Sequence, residues 1–242
     1  EVLGQRPGVS QMKKQLSLAM GLVLAGMASA PVMADGHDMG LEFSANVAMT
    51  TDYLWRGYSL SDNEIAIQGG FDAAHTSGVY AGVWGSSIDQ YNDSEIEFDV
   101  YLGWSGEVGP VGLDVGWVRY MYPGETSPSV ETDEYHLGVS GDVGPVSLGA
   151  TYNFSSDYFG ADDNDYWDLS ASIPVGQFSL AAHYGINDGD EASGGIDYDD
   201  WSIGASTECG GFGFDLTYMT SDMSPATDLH DHLWARTISK SL

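Results

Sequence analysis

Eight charged residues are the strongest candidates for a functional site, because most of them fall where polar and apolar side chains alternate. They are Asp52, Arg56, Glu64, Glu95, Glu97, Asp99, Asp168 and Asp200. Seven carboxylates with one arginine suit the selection of cations in a narrow aqueous passage better than covalent catalysis. The six histidines form no persuasive group with a serine and an orienting polar residue, so no catalytic residue is predicted.

Metal and cofactor sites are not predicted either. His230 and His232 share one face of a predicted strand, but no third ligand is evident. The acidic runs at 162–165 and 187–191 lack the regular spacing of a calcium-binding loop and are interpreted as solvated loops. Cys209 lies in a turn and has neither a partner nor an activating base.

Short turns alternate with long polar segments along the chain. Turns containing glycine or proline recur at a spacing of roughly 32 to 35 residues, at 75–78, 107–110, 142–145, 174–177 and 208–211. Segments rich in Asp, Gly and Ser lie between them, including 57–63 and 86–94. Tight turns at one rim and longer loops at the other are typical of bacterial outer-membrane barrels.

The segments between turns alternate apolar and polar residues with the period of a β-strand. Ile96 and Phe98 fall on one face of such a segment, and Glu95, Glu97 and Asp99 fall on the other. Twelve strands are predicted, with ten or fourteen as alternatives: 43–55, 64–73, 79–86, 95–105, 111–121, 133–141, 146–155, 166–174, 178–185, 200–207, 212–219 and 232–242. The segment 79–86 fits either phase, and its faces are left unassigned.

The direction of the apolar face is predicted from its aromatic residues. Trp55, Trp167 and Trp201 lie toward the long loops, whereas Phe43, Trp104, Phe178 and Phe212 lie toward the short turns. Two such bands match the paired girdles of a membrane barrel. The opposite face is rich in Gly, Ser and Ala, which suit a lumen. A lipocalin-like soluble cup, with the apolar face inward, is the structural alternative.

The N-terminal region and the composition indicate export. Residues 12–34 carry two lysines, an apolar stretch and a small-residue end, which predicts a signal peptide cleaved after Ala34. Residues 1–11 are interpreted as an upstream segment, and 35–242 as a single barrel domain. Apolar residues at 43% and aromatics at 12% argue against disorder. With 36 Asp+Glu against 7 Lys+Arg, nucleic acid is excluded as a partner, and a very soluble secreted protein is a further alternative.

Residues 50–88 carry a distinctive set of motifs: a tyrosine (Tyr53), an Arg-Gly-x-Ser turn (56–59), a Gln-Gly-Gly strand (68–70) and a Ser-Gly-x-Tyr-x-Gly-x-Trp strand (77–84). This pattern resembles the TorF family of porin-like outer-membrane β-barrel proteins. The resemblance continues more loosely to the C-terminus. It implies a β-barrel in the outer membrane and a role in transport.

The predicted protein is an all-β, antiparallel, up-and-down transmembrane barrel that gives passive, cation-preferring diffusion of small hydrophilic solutes. A non-conducting anchor or adhesin is the first alternative, and a surface lipid hydrolase is the second. The expected partners are outer-membrane lipid, lipopolysaccharide, the barrel-assembly machinery and the solutes or cations themselves. Arg56 is expected beside Glu64 across the first hairpin, where it either stabilises the loop or reduces the negative charge at the opening of the pore. The transported solute and the oligomeric state are left open.

Overall fold

The computed structural model describes residues 40–242 apart from 92, 127, 191 and 193. The predicted upstream segment at 1–11 and signal peptide at 12–34 lie outside the described residues. Among those described, no helix is long and apolar enough to cross a bilayer.

Twelve antiparallel strands close into one barrel, which confirms the predicted fold class. A separate two-stranded hairpin, β2 (Leu54–Trp55) and β3 (Tyr58–Ser59), lies between the first two barrel strands. The barrel strands are β1 (Leu41–Thr50), β4 (Ala66–His75), β5 (Val79–Tyr91), β6 (Ser94–Val108), β7 (Val111–Met121), β8 (Thr132–Val143), β9 (Val146–Ser155), β10 (Asn164–Val175), β11 (Phe178–Gly189), β12 (Tyr198–Cys209), β13 (Phe212–Ser221) and β14 (Leu233–Ser241). Each pairs with its neighbours along the barrel, and β1 pairs with β14 from Asn46–Ser241 to Thr50–Thr237, so no sheet edge is left for lipid to solvate.

Several predicted element boundaries are wrong at the extracellular rim. The first strand ends at Thr50 rather than 55 and the second begins at Ala66 rather than 64, so that residues 51–65 are free to fold into the barrel. The predicted long loop at 86–94 is instead mostly strand, because β5 continues to Tyr91 and β6 begins at Ser94. At the other rim, two- or three-residue turns join the strands, as predicted, and this rim is periplasmic by analogy with known barrels.

An apolar belt covers the outside of the barrel. Leu102, Val115, Leu137 and Leu180 are among its members, and each is between 44% and 56% exposed. Toward the long loops, outward-facing aromatic rings pack against each other in a tilted arrangement, with centroids 5.0 Å apart for Tyr152–Trp167 and 5.2 Å apart for Trp201–Tyr218. Toward the short turns, Phe43, Trp104, Phe178 and Phe212 are exposed as predicted. The apolar face therefore points outward, toward lipid, which rules out the soluble-cup alternative.

Candidate functional site in the barrel interior

Residues 51–65, here called the inserted segment, fold into the extracellular half of the barrel. The hairpin of β2 and β3 turns at Arg56 and Gly57, which both have positive φ angles of 44° and 80°. Two such residues are what a tight two-residue hairpin turn requires. Gly57 also lies against the wall, because a Cβ there would be 2.7 Å from Asp200 Cβ and 2.8 Å from Ser221 Cβ. The Arg-Gly pair therefore allows both the tight turn of the hairpin and its close contact with the barrel wall.

Arg56 is anchored by an ion pair that the sequence did not predict. Its Nη1 and Nη2 each donate to Glu134 of β8 at 2.7 Å, and the two side chains are only 9% and 4% exposed. The guanidinium lies 4.1 Å from the ring centre of Tyr166 and 4.6 Å from that of Trp55. Burial is the largest influence on the pKa of Arg56 and acts to lower it. The interactions with Glu134, Tyr158 and Tyr120 together outweigh burial, and the pKa is raised well above its usual value. A bidentate pair stacked between two rings fixes the tip of the segment.

The expected Arg56–Glu64 contact is therefore wrong, and so is the placement of Trp55 in the outer girdle. Glu64 is exposed, and its backbone nitrogen donates to Ser61 O at 2.9 Å. Trp55 packs inside the barrel against Tyr120 and Phe159, with ring centres 6.0 and 5.7 Å away. Both errors have the same cause. The polar-apolar alternation of the first strand continues through 51–65, although the chain has already left the barrel wall there.

An aromatic core surrounds the inserted segment. Tyr53, Trp84 and Tyr122 are between 4% and 8% exposed, and the rings of Tyr53 and Trp84 meet edge to face at 5.5 Å. Trp84 settles the unassigned phase of the third predicted strand, because its ring faces inward. The extracellular half of the interior is thus packed like a small protein core.

Glu97 and Asp99 face this core from β6, as predicted from the strand phase. Glu97 is 2% exposed and accepts hydrogen bonds from Tyr53 Oη at 2.8 Å and Tyr122 Oη at 3.3 Å. Asp99 is 4% exposed, and its Oδ1 has no hydrogen-bond partner among the described residues. Glu95 differs from the expectation, because it is exposed near the end of the strand.

Asp168 and Asp200 flank His183 on the wall across the barrel. His183 Nε2 lies 2.9 Å from Asp200 Oδ1, and Tyr166 Oη donates to Asp200 Oδ2 at 2.8 Å. Asp168 Oδ2 is 3.2 Å from His183 Nδ1, as an ion-pair contact rather than a hydrogen bond. This group is therefore a packed polar network of the wall.

Asp52 lies on the inserted segment instead of the barrel wall. It is 3% exposed, and its Oδ1 accepts hydrogen bonds from Ser59 Oγ at 2.6 Å and Ser61 Oγ at 3.1 Å. These bonds close the segment on itself. His230 and His232, which were placed together on a strand, lie instead in the loop before β14, where they contact Tyr58 and Tyr218 respectively.

The periplasmic half of the interior is lined differently. Tyr80 Oη donates to Asp114 Oδ1 at 3.0 Å and lies 3.3 Å from His136 Nε2, which also bonds Asp114. Tyr101 donates to Asp72 in the same manner. The remaining inward positions here are mainly Gly, Ser and Thr, so this half is polar and leaves space beside the wall.

Negative charge dominates the inward-facing side chains. Wall carboxylates point inward from seven strands: Asp72, Glu97, Asp99, Asp114, Glu134, Asp168, Asp200 and Asp215. Of the four Lys and Arg residues in the described part, only Arg56 lies inside. Arg119 pairs with Glu131 and Asp133 at the surface, and Arg236 and Lys240 share the outward phase of Trp234 and Ile238.

A family model described as a bacterial protein of unknown function, Gcw_chp, matches residues 34–241. The chain belongs to this family. A closed barrel with an apolar outer belt in a bacterial family is an outer-membrane protein, and this Gcw_chp chain is therefore located there. No curated protein matches its sequence significantly.

Among solved structures, the fold of this Gcw_chp barrel is similar to that of porins. The KdgM porin aligns with a TM-score of 0.56 at 6% identity, covering 82% of this chain and 97% of that one. The NanC porin aligns with a TM-score of 0.51 at 10% identity, with the same coverage. A KdgM porin in complex with disordered oligogalacturonate gives 0.53 at 5% identity, covering 82% and 95%. These likenesses show the fold, and the narrower TorF resemblance stays a prediction.

Proposed function

We propose that this chain is a porin-type channel for small hydrophilic solutes, with a preference for cations. The TorF resemblance supports the role in transport but not the preference. The observation that carries the proposal is the charge of the interior, where eight wall carboxylates face one arginine that Glu134 already neutralises. A narrow lumen lined by one sign of charge enriches the opposite ion. The signal peptide at 12–34 supplies export to the outer membrane in this proposal, and no enzymatic activity forms part of it.

The inserted segment sets the size of solute that this channel passes. It fills much of the extracellular half with aromatic side chains, so that passage is confined to the space left beside it. The sequence predicted a lumen from the face that is rich in Gly, Ser and Ala. The interior is instead narrowed by the chain itself.

The solute class of this chain cannot be taken from the similar barrels. Oligogalacturonate, present with one KdgM structure, is a polyanion. The carboxylate-lined interior of this chain disfavours entry of a polyanion, because like charges repel at close range in a narrow pore. The proposal is therefore limited to neutral and cationic solutes.

Reversal potentials in planar bilayers under a salt gradient test the proposal. The wild-type protein should be cation-selective, and Glu97→Gln with Asp99→Asn should reduce that selectivity because two inward carboxyl groups are lost. Glu95→Gln is the matched control and should leave selectivity unchanged, since Glu95 is exposed. An anion-selective wild type, or unchanged selectivity in the double variant, would contradict the role given to these carboxylates.

A non-conducting anchor or adhesin is the second candidate, and the packed extracellular half is the observation that favours it. Folded protein is recognised by its heat-modifiable migration on gels. Electrical silence of such protein in bilayers would support the anchor and exclude the channel.

A further inference from the structure

A small cavity with a mixed polar and apolar lining lies between the inserted segment and the barrel wall, and Leu54, Met219 and Ala235 are its apolar members. Its volume is about 40 Å³. The polar groups around it come from both sides: Asp52 from the segment, and Thr50, Gln68, Asp215, Thr217 and Thr237 from four strands of the wall. Because one water needs roughly 10–15 Å³ of such a cavity, this one has room for an ion with a small number of waters.

Two buried side chains on this cavity have atoms without a partner. Asp52 uses Oδ1 for the hydroxyls of Ser59 and Ser61, but its Oδ2 has no hydrogen-bond partner among the described residues. Gln68 is 5% exposed, and its Nε2 is also without a partner there. Rotating the Gln68 amide by half a turn presents its oxygen to the same space. Buried polar atoms are rarely left unsatisfied, so these two indicate an occupant.

The charge around the cavity specifies the kind of occupant. Asp52 and Asp215 both border it, while the interior arginine is engaged by Glu134. Burial raises the pKa of Asp52 even though hydrogen bonds from Ser59 and Ser61 act in the opposite direction. A buried carboxylate without a counter-charge is costly, and a cation beside it removes that cost.

The surrounding hydroxyls are arranged to offer oxygen lone pairs. Thr217 Oγ1 donates to Asp215 Oδ1 at 2.7 Å, and Thr237 Oγ1 donates to Thr50 Oγ1 at 3.0 Å. Thr50 in turn donates its hydroxyl proton to Asp52 O at 2.8 Å. With their protons directed at protein acceptors, the hydroxyls of Thr217 and Thr237 keep lone pairs for a cation. Thr50 Oγ1 offers none, because it also accepts from Asp52 N at 3.4 Å. Carboxylate, hydroxyl and amide oxygens together are the donor set of hard cations.

We propose that this cavity binds one hard cation, such as Ca²⁺, between Asp52 of the inserted segment and Asp215 of β13. The site goes beyond the channel function, because binding does not require that the barrel conducts. Among the described residues no cluster of three or more His, Cys, Asp and Glu suited to a metal occurs. The site reaches its oxygen count through threonine and glutamine instead. A bound cation joins the segment to the wall and stabilises its inserted position.

Terbium luminescence measures this binding directly. Tb³⁺ replaces Ca²⁺ in oxygen sites, and Tyr53, which borders the cavity, sensitises its emission. Titration of the refolded full-length barrel should show a saturable signal that Ca²⁺ displaces. Asp52→Asn and Asp215→Asn should each weaken Tb³⁺ binding by roughly tenfold or more, since each removes one of two charged ligands. Glu64→Gln, on the exposed side of the same segment, is the matched control and should not change it.

Thermal unfolding of the wild type provides a second readout that needs no variant. Ca²⁺ should raise the Tm more than an equal ionic strength of choline chloride. The proposal is overturned if Tb³⁺ binding is unsaturable, if both Asp variants bind as the wild type does, or if Ca²⁺ and choline act equally on the Tm. Loss of binding in the Glu64 control as well would place the ions on the acidic surface and likewise overturn it.

Discussion

The two halves of the interior are built on different principles. In the extracellular half, Arg56, Tyr53 and Trp84 are almost completely buried, and an ion pair and an aromatic core hold the inserted segment. In the periplasmic half, tyrosines donate to wall carboxylates that remain partly exposed, as Tyr80 does to Asp114. The first half depends on contacts between a segment that leaves the sheet and distant strands, whereas the second depends on side chains from strands one or two positions apart in the barrel. Stability should therefore respond more strongly to changes in the extracellular half.

The largest effect is expected at the buried ion pair. Arg56→Met leaves Glu134 buried without a counter-charge, which should reduce the free energy of unfolding by about 3–5 kcal/mol. Urea unfolding of the refolded barrel, followed by tryptophan fluorescence, measures this. Arg119→Met is the control, since each of its surface ion pairs, with Glu131 and with Asp133, should contribute about 1 kcal/mol or less. Combining Arg56→Met with Glu134→Leu should restore most of the loss, and a double variant no better than the single one would show that charge is not the cause.

A smaller effect is expected from removing one hydroxyl of the extracellular half. Tyr53→Phe deletes the 2.8 Å hydrogen bond to Glu97, which keeps only the longer one from Tyr122. Because the acceptor is a buried carboxylate, the loss should be about 1.5–3 kcal/mol in the same unfolding assay. No loss would mean that Glu97 is uncharged or reached by water.

The smallest effect is expected from the equivalent change in the periplasmic half. Tyr80→Phe removes a bond to Asp114, which His136 still contacts and water can reach. The expected loss is about 1 kcal/mol or less, again from urea unfolding. A loss as large as that of Tyr53→Phe would remove the contrast between the two halves.

The wall was predictable from the sequence, because a strand with one lipid face and one aqueous face must alternate every residue. The inward phase of Glu97, Asp99, Asp168 and Asp200 follows from that rule, and the structure places them there. Glu134 also lies on an inward phase, but nothing local to it shows that it meets Arg56. That contact joins residues 78 positions apart through a segment that leaves the sheet.

The inserted segment could not be predicted, although its signals are present. Trp-Arg-Gly-Tyr at 55–58 is compatible with a tight hairpin, because a non-glycine residue before glycine can adopt positive φ. Asp52, Ser59 and Ser61 mark a self-bonded loop only once their distances are known. Alternation gives no information on whether such a hairpin lies outside the barrel or within it, since Tyr53 and Trp55 would suit either place.

The central claim is that the inserted segment narrows an acidic channel, and single-channel conductance tests it most directly. Thr50 and Ala66 are paired across β1 and β4, so residues 51–65 can be replaced by a two-residue Asn-Gly turn without changing the register. Heat-modifiable migration on gels first shows that the barrel with this replacement has folded. It should then conduct several-fold more current than the wild type, and it should still prefer cations because the wall carboxylates remain. Conductance equal to that of the wild type would contradict the claim.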